Sequence, residues 1–150
     1  MLLTAPLLAR AGRAGLGESG GDFPGRRSVT THRRALAALG AAPDAPEPRA
    51  LIAPAGLAGA SLYLDEASVT GTENAIMAAS LALGTTVIDN AACEPHVQDL
   101  CRLIVAMGGD IEGIGTNRLV IHGVPRLPGA PHARWSEPGQ ARGADAPAMR

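Results

Sequence analysis

A chain of 150 residues is the length of one domain or slightly more. Its 13 basic residues, all arginine, offset 14 acidic ones to a net charge of -1 at pH 7, so no basic stripe marks a nucleic-acid partner. Hydrophobic residues make up 46% but aromatic ones only 2% (Phe23, Tyr63, Trp135), which calls for an aliphatic, small-residue core and disfavours stacking on bases.

The opening run MLLTAPLLA is apolar, but it has no basic leader and is broken by Pro6 and Arg10, so LLTAPLLARAG reads as a helix rather than a signal peptide. RAGLGE follows as a short strand, SGGDFPGRRS as a loop, and VTTHRRALAALG as a second helix. A Pro-rich approach, APDAPEP, leads into the strand RALIAPA. SLYLDE (61–66) alternates as a strand does. TGTENAIMAASLALG then carries Ala75, Ile76, Ala79 and Leu83 on one helical stripe, with Thr70 and Glu73 spaced as a capping box and Gly84 as the C′ stop. TTVIDN (85–90) is a β-branched strand. The following helix has Pro95 in its first turn, an apolar face of Val97, Leu100, Cys101 and Ile104, and Gly108-Gly109 at its end. DIEGIG and RLVIHG form two strands joined by a turn at Gly115–Asn117. Residues 124–150 hold five prolines and no apolar period, and read as a Pro/Gly/Ala-rich disordered tail.

The order over 61–123 is β-α-β-α-β-β, and residues 1–60 repeat most of it. Gly12 falls opposite Gly84, an offset of 72, and Gly40 opposite Gly108, an offset of 68, so the first copy spends four extra residues in its strand-to-helix loop. The predicted organisation is an α/β chain with a first unit at 1–60 that lacks its opening strand, a complete unit at 61–123, and the tail. No segment reaches the roughly 18 apolar residues of a membrane span, and no membrane partner is expected. Two cysteines without CxxC spacing, Cys93 and Cys101, point to a reduced, cytoplasmic protein and read as ordinary helix residues.

The long loop concentrates the chemistry. Gly20-Gly21-Asp22-Phe23-Pro24-Gly25-Arg26-Arg27 joins backbone freedom, a carboxyl group and two guanidiniums just before a helix. Glycines admit an anion close to main-chain N–H groups, and the arginine fork matches phosphate or carboxylate oxygens. One reading is an anionic-substrate site with Asp22 as acid or base; the other is an exposed loop in which Asp22 pairs with Arg26. Ser68-Val69-Thr70-Gly71-Thr72 opens a helix and reads equally as a phosphate-facing turn or a simple cap. Glu94 and His96 fit a cap and a solvated first turn. The four histidines (His32, His96, His122, His132) show no metal-ligand spacing, and no metal or cofactor is expected.

Leu64 to Val124, LDEASVTGTENAIMAASLALGTTVIDNAACEPHVQDLCRLIVAMGGDIEGIGTNRLVIHGV, closely resembles the UDP-N-acetylglucosamine 1-carboxyvinyltransferase family. APLLARAGRA followed by GGD…GRRSV resembles that family's active-site loop region, and the likeness runs over about residues 1 to 128. It implies an inside-out α/β barrel of β-α-β-α-β-β units, here incomplete. It also implies transfer of the enolpyruvyl group of phosphoenolpyruvate to the 3-hydroxyl of UDP-N-acetylglucosamine with release of phosphate, the first committed step of peptidoglycan (cell wall) synthesis. By position, Asp22 takes the place of the loop cysteine that protonates the enolpyruvyl methylene, which implies resistance to fosfomycin, an alkylator of that cysteine. Arg27, Ser28, Val29, Thr30 and Thr31 fall on the nucleotide-sugar-binding run, and Glu66, Ala67, Ser68 and Val69 on the second nucleotide-binding turn. Ser28 stands where the family has Pro, and Thr30 where it has Asp.

A carboxylic acid donor needs a raised pKa, which Arg26 and Arg27 would lower unless substrate phosphate offsets them. The resemblance further implies a fragment: the family's N-terminal Lys-Asn pair, its second-domain catalytic Asp and its phosphoenolpyruvate-binding arginines have no match in the chain. No turnover is therefore expected of the chain alone, and self-association through exposed barrel faces is expected. Two other readings remain at this point: a non-catalytic nucleotide-sugar-binding module, and an enolpyruvyl shikimate phosphate synthase-like enzyme.

Overall fold

The computed structural model describes residues 2–15 and 30–130. Helix α1 (Thr4–Ala11) tolerates Pro6 because the first turn has no backbone partner for that missing N–H. It buries Ala5 and Leu8 and ends at Gly12, whose left-handed backbone (φ 67°) lets its N–H reach the Leu8 carbonyl. Strand β1 (Arg13–Gly15) pairs antiparallel with β3 (Glu47–Ile52), and so does β2 (Ala42–Asp44), giving the order β1-β3-β2. Between β1 and β2 in sequence lies α2 (Thr30–Ala38). On the exposed side of this sheet Arg13 bonds Asp44 (2.8 Å) and Glu47 (2.6 Å), a solvated pair of contacts that aligns the strands more than it stabilises them.

The second half runs β4 (Ser61–Tyr63), α3 (Val69–Ala79), β5 (Thr85–Asp89), α4 (Pro95–Ala106), β6 (Asp110–Glu112) and β7 (Arg118–His122). Its sheet has the order β4-β5-β7-β6, with β4 parallel to β5 and the remaining pairs antiparallel. The extended run before β4 lies beside β5 so closely that a Cβ at Gly59 would sit 2.3 Å from the Thr85 carbonyl oxygen. Glycine is required there by close backbone approach.

The two halves share one plan. β1-β3-β2 has the same order as β5-β7-β6, and β4 extends the second sheet by one strand. The pairing Arg13 with Ile52 corresponds to Thr85 with His122. Helix ends match bond for bond: Ala41 N–H reaches the Leu36 carbonyl around Gly40 (φ 98°), as Gly109 N–H reaches the Ile104 carbonyl around Gly108 (φ 90°). Helix α3 is central. It packs on α1, α2 and α4 and on the inner face of β5 and β7, and its Thr72, Asn74, Ala75, Ile76, Ala78 and Ala79 are all buried. The sheets close the outside, and small side chains on α3 let its neighbours approach.

Three local expectations change. β2 is a strand rather than an unstructured Pro-rich approach; it lies at the sheet edge, where the missing N–H of Pro43 costs no ladder bond, and its register shifts between Pro43 and Asp44. The N-cap of α3 is Ser68, whose hydroxyl oxygen accepts from Gly71 N–H (3.2 Å), so Thr70 is already inside the helix. Helix α3 ends at Ala79, not at Gly84. Ser80 Oγ donates to the Ile76 carbonyl (2.8 Å), and Leu81 and Ala82 bond back three residues, which tightens and stops the helix. Val124 N–H donates to the Ser80 carbonyl (2.9 Å), and Leu127 packs on the core, so the chain remains against α3 beyond β7.

Candidate active site

The starts of α2 and α3 lie side by side, and the turn between β4 and α3 closes over them. Thr31, buried in the first turn of α2, donates its hydroxyl to Glu66 Oε1 across 3.1 Å. Arg34, one turn further on, pairs with Asp65 on the same turn. Both partners of that pair are exposed, so it fixes geometry more than it adds stability. A shallow pocket of about 180 Å3 opens between α2 and β4, with Thr31, Arg34, Ser61, Tyr63 and Asp65 on its walls.

Beneath this rim a polar cluster sits among apolar helices. His32 Nδ1 faces Asn74 Nδ2 at 3.1 Å, and His32 Nε2 faces Thr70 Oγ1 at 3.3 Å. Asn74 Nδ2 also donates to the Thr70 carbonyl (3.1 Å), and its Oδ1 accepts Ala5 N–H at the start of α1 (3.3 Å). Burial pushes the His32 imidazole below its ordinary value, against the attraction of Glu66.

The turn itself is built by capping. Ser68 closes the first turn of α3, and Thr72 Oγ1 donates to the Ser68 carbonyl (2.8 Å) while accepting Ala92 N–H (3.0 Å). Ser68 N–H also donates to the Glu66 carbonyl (2.7 Å), so the run Glu66 to Val69 is a bonded turn that leads into the positive end of the α3 dipole.

Against this arrangement stand the comparisons. A model of the EPSP synthase (3-phosphoshikimate 1-carboxyvinyltransferase) family matches residues 1–136. The chain belongs to that family. Within it, a UDP-N-acetylglucosamine 1-carboxyvinyltransferase of Treponema denticola is 54% identical over 132 residues, covering 88% of this chain and 31% of the relative. The enzymes of that name from Bradyrhizobium diazoefficiens (54% over 127 residues, 85% and 29%) and Borreliella burgdorferi (50% over 129 residues, 86% and 30%) are similar as well. The chain spans just under a third of the length of these relatives. Among solved structures, the enolpyruvyl transferase NikO of Streptomyces tendae superposes with a TM-score of 0.67 at 21% identity, covering 86% of this chain and 31% of that one. An EPSP synthase of Acinetobacter baumannii gives 0.62 at 23%, with 85% and 29% covered. At such identities these two likenesses establish the EPSP-synthase-family fold, an α/β architecture present here in part.

In this EPSP-synthase-family chain the structure brings Thr30 and Thr31 to the start of α2, beside Glu66, Ala67, Ser68 and Val69. Asp22, Arg27, Ser28 and Val29 lie outside the described residues. His32 and Asn74 carry no metal or catalytic motif, and sequence reasoning passed over them. Asn74 did leave a signal, because an amide on a helix whose neighbours Ala75, Ile76 and Ala78 are all buried must itself find partners. Among the described residues no group of three or more His, Cys, Asp or Glu is placed to hold a metal, and no helix is long and apolar enough to cross a membrane. Cys101 is buried on α4 with its thiol pushed up to about 11 by desolvation, whereas Cys93 is exposed and lies ahead of α4 rather than in a helix as expected.

Proposed function

We propose that this chain is part of a UDP-N-acetylglucosamine 1-carboxyvinyltransferase, a cytoplasmic enzyme of peptidoglycan precursor synthesis that serves cell-wall growth, shape and division. The 54% identity to the Treponema denticola enzyme over 132 residues carries this reading. It favours the nucleotide-sugar branch over the shikimate branch, of which two Acinetobacter baumannii structures are 23% and 22% identical. Residues 1–60 and 61–123 then act as two copies of one unit, and the observed correspondence of strand order and helix ends supports that division.

In the reaction the 3-hydroxyl of UDP-N-acetylglucosamine adds to C2 of phosphoenolpyruvate while C3 takes a proton and becomes a methyl group. Loss of a C3 proton and of inorganic phosphate then restores the vinyl ether. Asp22 is assigned as donor of the C3 proton and Arg27 as the partner of anionic oxygen. Ser28, Val29, Thr30 and Thr31, with Glu66, Ala67, Ser68 and Val69, are assigned to the nucleotide sugar. The Thr31–Glu66 bond supports that assignment, because it joins two segments that are separate in sequence. Both substrates are anionic, and Arg27 with the α3 N-terminus offers complementary charge.

The activity belongs to a protein of the relatives' length, and the 150-residue chain by itself does not turn over. Incubating the chain with phosphoenolpyruvate and UDP-N-acetylglucosamine is expected to release no phosphate above a protein-free blank; release would contradict the fragment reading. The chain also associates with itself, a reading supported by exposed Leu2 and Leu3 ahead of α1, exposed Leu7 on α1, and a mostly apolar groove of about 640 Å3 between α1, α3, α4 and residues 125–127. A monomeric sedimentation coefficient at micromolar concentration would refute it.

A further inference from the structure

The starts of α1, α2 and α3 meet at one fully buried amide, that of Asn74. Its contacts have fixed polarity. Ala5 N–H is a backbone donor and must meet Oδ1; the Thr70 carbonyl is an acceptor and must meet Nδ2. The amide therefore cannot turn over without losing both. Its other Nδ2 hydrogen points at His32 Nδ1 across 3.1 Å, so Nδ1 must present a lone pair. The ring proton then sits on Nε2 and is donated to Thr70 Oγ1 at 3.3 Å.

Protonation would place a second N–H on Nδ1, facing the N–H of the amide. Two donors cannot bond one another, and the fixed amide cannot offer its oxygen instead. Around the ring, Glu66 on the β4–α3 turn attracts a proton, while burial and the amino terminus oppose one. Glu73 on α3 interacts with His96 of α4 instead.

We propose that His32 and Asn74 form a proton-operated latch: the neutral ring closes the starts of α1, α2 and α3 on one another, and a proton on Nδ1 releases them. The latch needs no ligand. Its moving parts are the first turns of α1 and α2, which the Asn74 amide holds through Ala5 and His32, and the α2 turn carries Thr30 and Thr31.

Histidine ring 15N spectra of the full 150-residue chain test this between pH 8 and pH 5, with His32 assigned through a His32→Asn variant. At pH 7.5 His32 is expected in the Nε2–H form, and it is expected to titrate below the ordinary imidazole value of 6.5. Across the His32 titration the hydrogen-exchange protection of the Ala5 amide should fall at least tenfold. In Asn74→Asp, carboxylate oxygens replace the amide and accept from both Ala5 N–H and a protonated Nδ1, with the donor to the Thr70 carbonyl lost. His32 should then titrate at higher pH than in the parent, and the loss of Ala5 protection should vanish. His32→Asn keeps an uncharged acceptor near the Nδ1 position and should likewise hold Ala5 protection constant with pH. Should Asn74→Asp fail to fold, the parent and His32→Asn series decide. An Nδ1–H ring at pH 7.5, Ala5 protection that ignores the His32 titration, or an acid-induced loss that persists in His32→Asn would each overturn the latch.

Discussion

Replacing Gly123 by Ala should destabilise the chain severely, and the reason lies in how α3 ends. A Cβ at Gly123 would stand 1.7 Å from the Ala82 carbonyl oxygen and 3.1 Å from that of Ala79, both main-chain atoms that cannot swing aside as a side chain does. Relief requires moving β7 away from the end of α3. That strains two bonds, Gly123 N–H to the Gly84 carbonyl and Val124 N–H to the Ser80 carbonyl, each 2.9 Å. Two backbone bonds at about 1 kcal/mol each and an overpacking cost of about 1–3 kcal/mol give roughly 3–5 kcal/mol in all. For a chain of this size that corresponds to a fall in Tm on the order of 10 °C. The first unit supplies an internal control. Ala53 makes the equivalent bond to the Gly12 carbonyl and carries its Cβ without conflict, because α1 runs straight to Gly12 and has no tightened turn there. Urea unfolding followed by far-ultraviolet circular dichroism, beside Gly15→Ala with no atom of the described residues within 4 Å of its added Cβ, reads the difference. A Gly123→Ala variant within 0.5 kcal/mol of the parent would refute the reasoning.

Other outcomes follow from single groups. Thr86 Oγ1 is buried without a partner among the described residues, so Thr86→Val should leave stability unchanged or raise it by up to about 1 kcal/mol in the same urea assay. Glu73 is held above its ordinary carboxyl range, first by burial and against the pull of His96. A raised carboxyl pKa favours folding below the unfolded value and loses that contribution as pH rises through the folded one, so Glu73→Gln should stabilise the chain at pH 7 and not at pH 4. His32 has the opposite sign: with its folded value below the unfolded 6.5, its contribution is complete above 6.5 and is lost as pH falls toward the folded value. A parent whose urea midpoint rises on going from pH 7 to pH 5.5, relative to His32→Asn, would contradict this. Iodoacetamide at pH 8 should label exposed Cys93 in the native chain and reach buried Cys101 only after unfolding, as intact mass would show. In a protein of the relatives' length carrying this sequence, Asp22→Cys should confer fosfomycin sensitivity that the Asp22 form lacks.

Much of the fold was legible in periodicity and punctuation. The β-branched run at 85–89, the apolar face of α4 and the glycines at 40 and 108 all gave local signals that tertiary packing preserves. β2 was hidden because Pro43 and the nearby Pro46 and Pro48 read as a breaker, although the repeat register places Ala42–Asp44 opposite Asp110–Glu112, which is a strand. The cap of α3 was misplaced by two residues because Ser68 and Thr70 are both good capping residues, and the bonds from Gly71 N–H to Ser68 Oγ and from Thr72 Oγ1 to the Ser68 carbonyl decide between them. The candidate site was legible as two motifs but not as one place. That Thr31 meets Glu66 depends on the packing of α2 against α3, which no local pattern encodes. The His32–Asn74 cluster was invisible for the same reason: its partners come from three helices.

The most direct test of the functional account is a titration of the 15N-labelled chain with UDP-N-acetylglucosamine, with shikimate 3-phosphate as the parallel ligand. The account predicts saturable shifts at Thr30, Thr31 and Glu66 through Val69 with the nucleotide sugar and none there with the shikimate. Shifts at those residues with shikimate 3-phosphate alone, or nucleotide-sugar shifts confined to other surfaces, would contradict it.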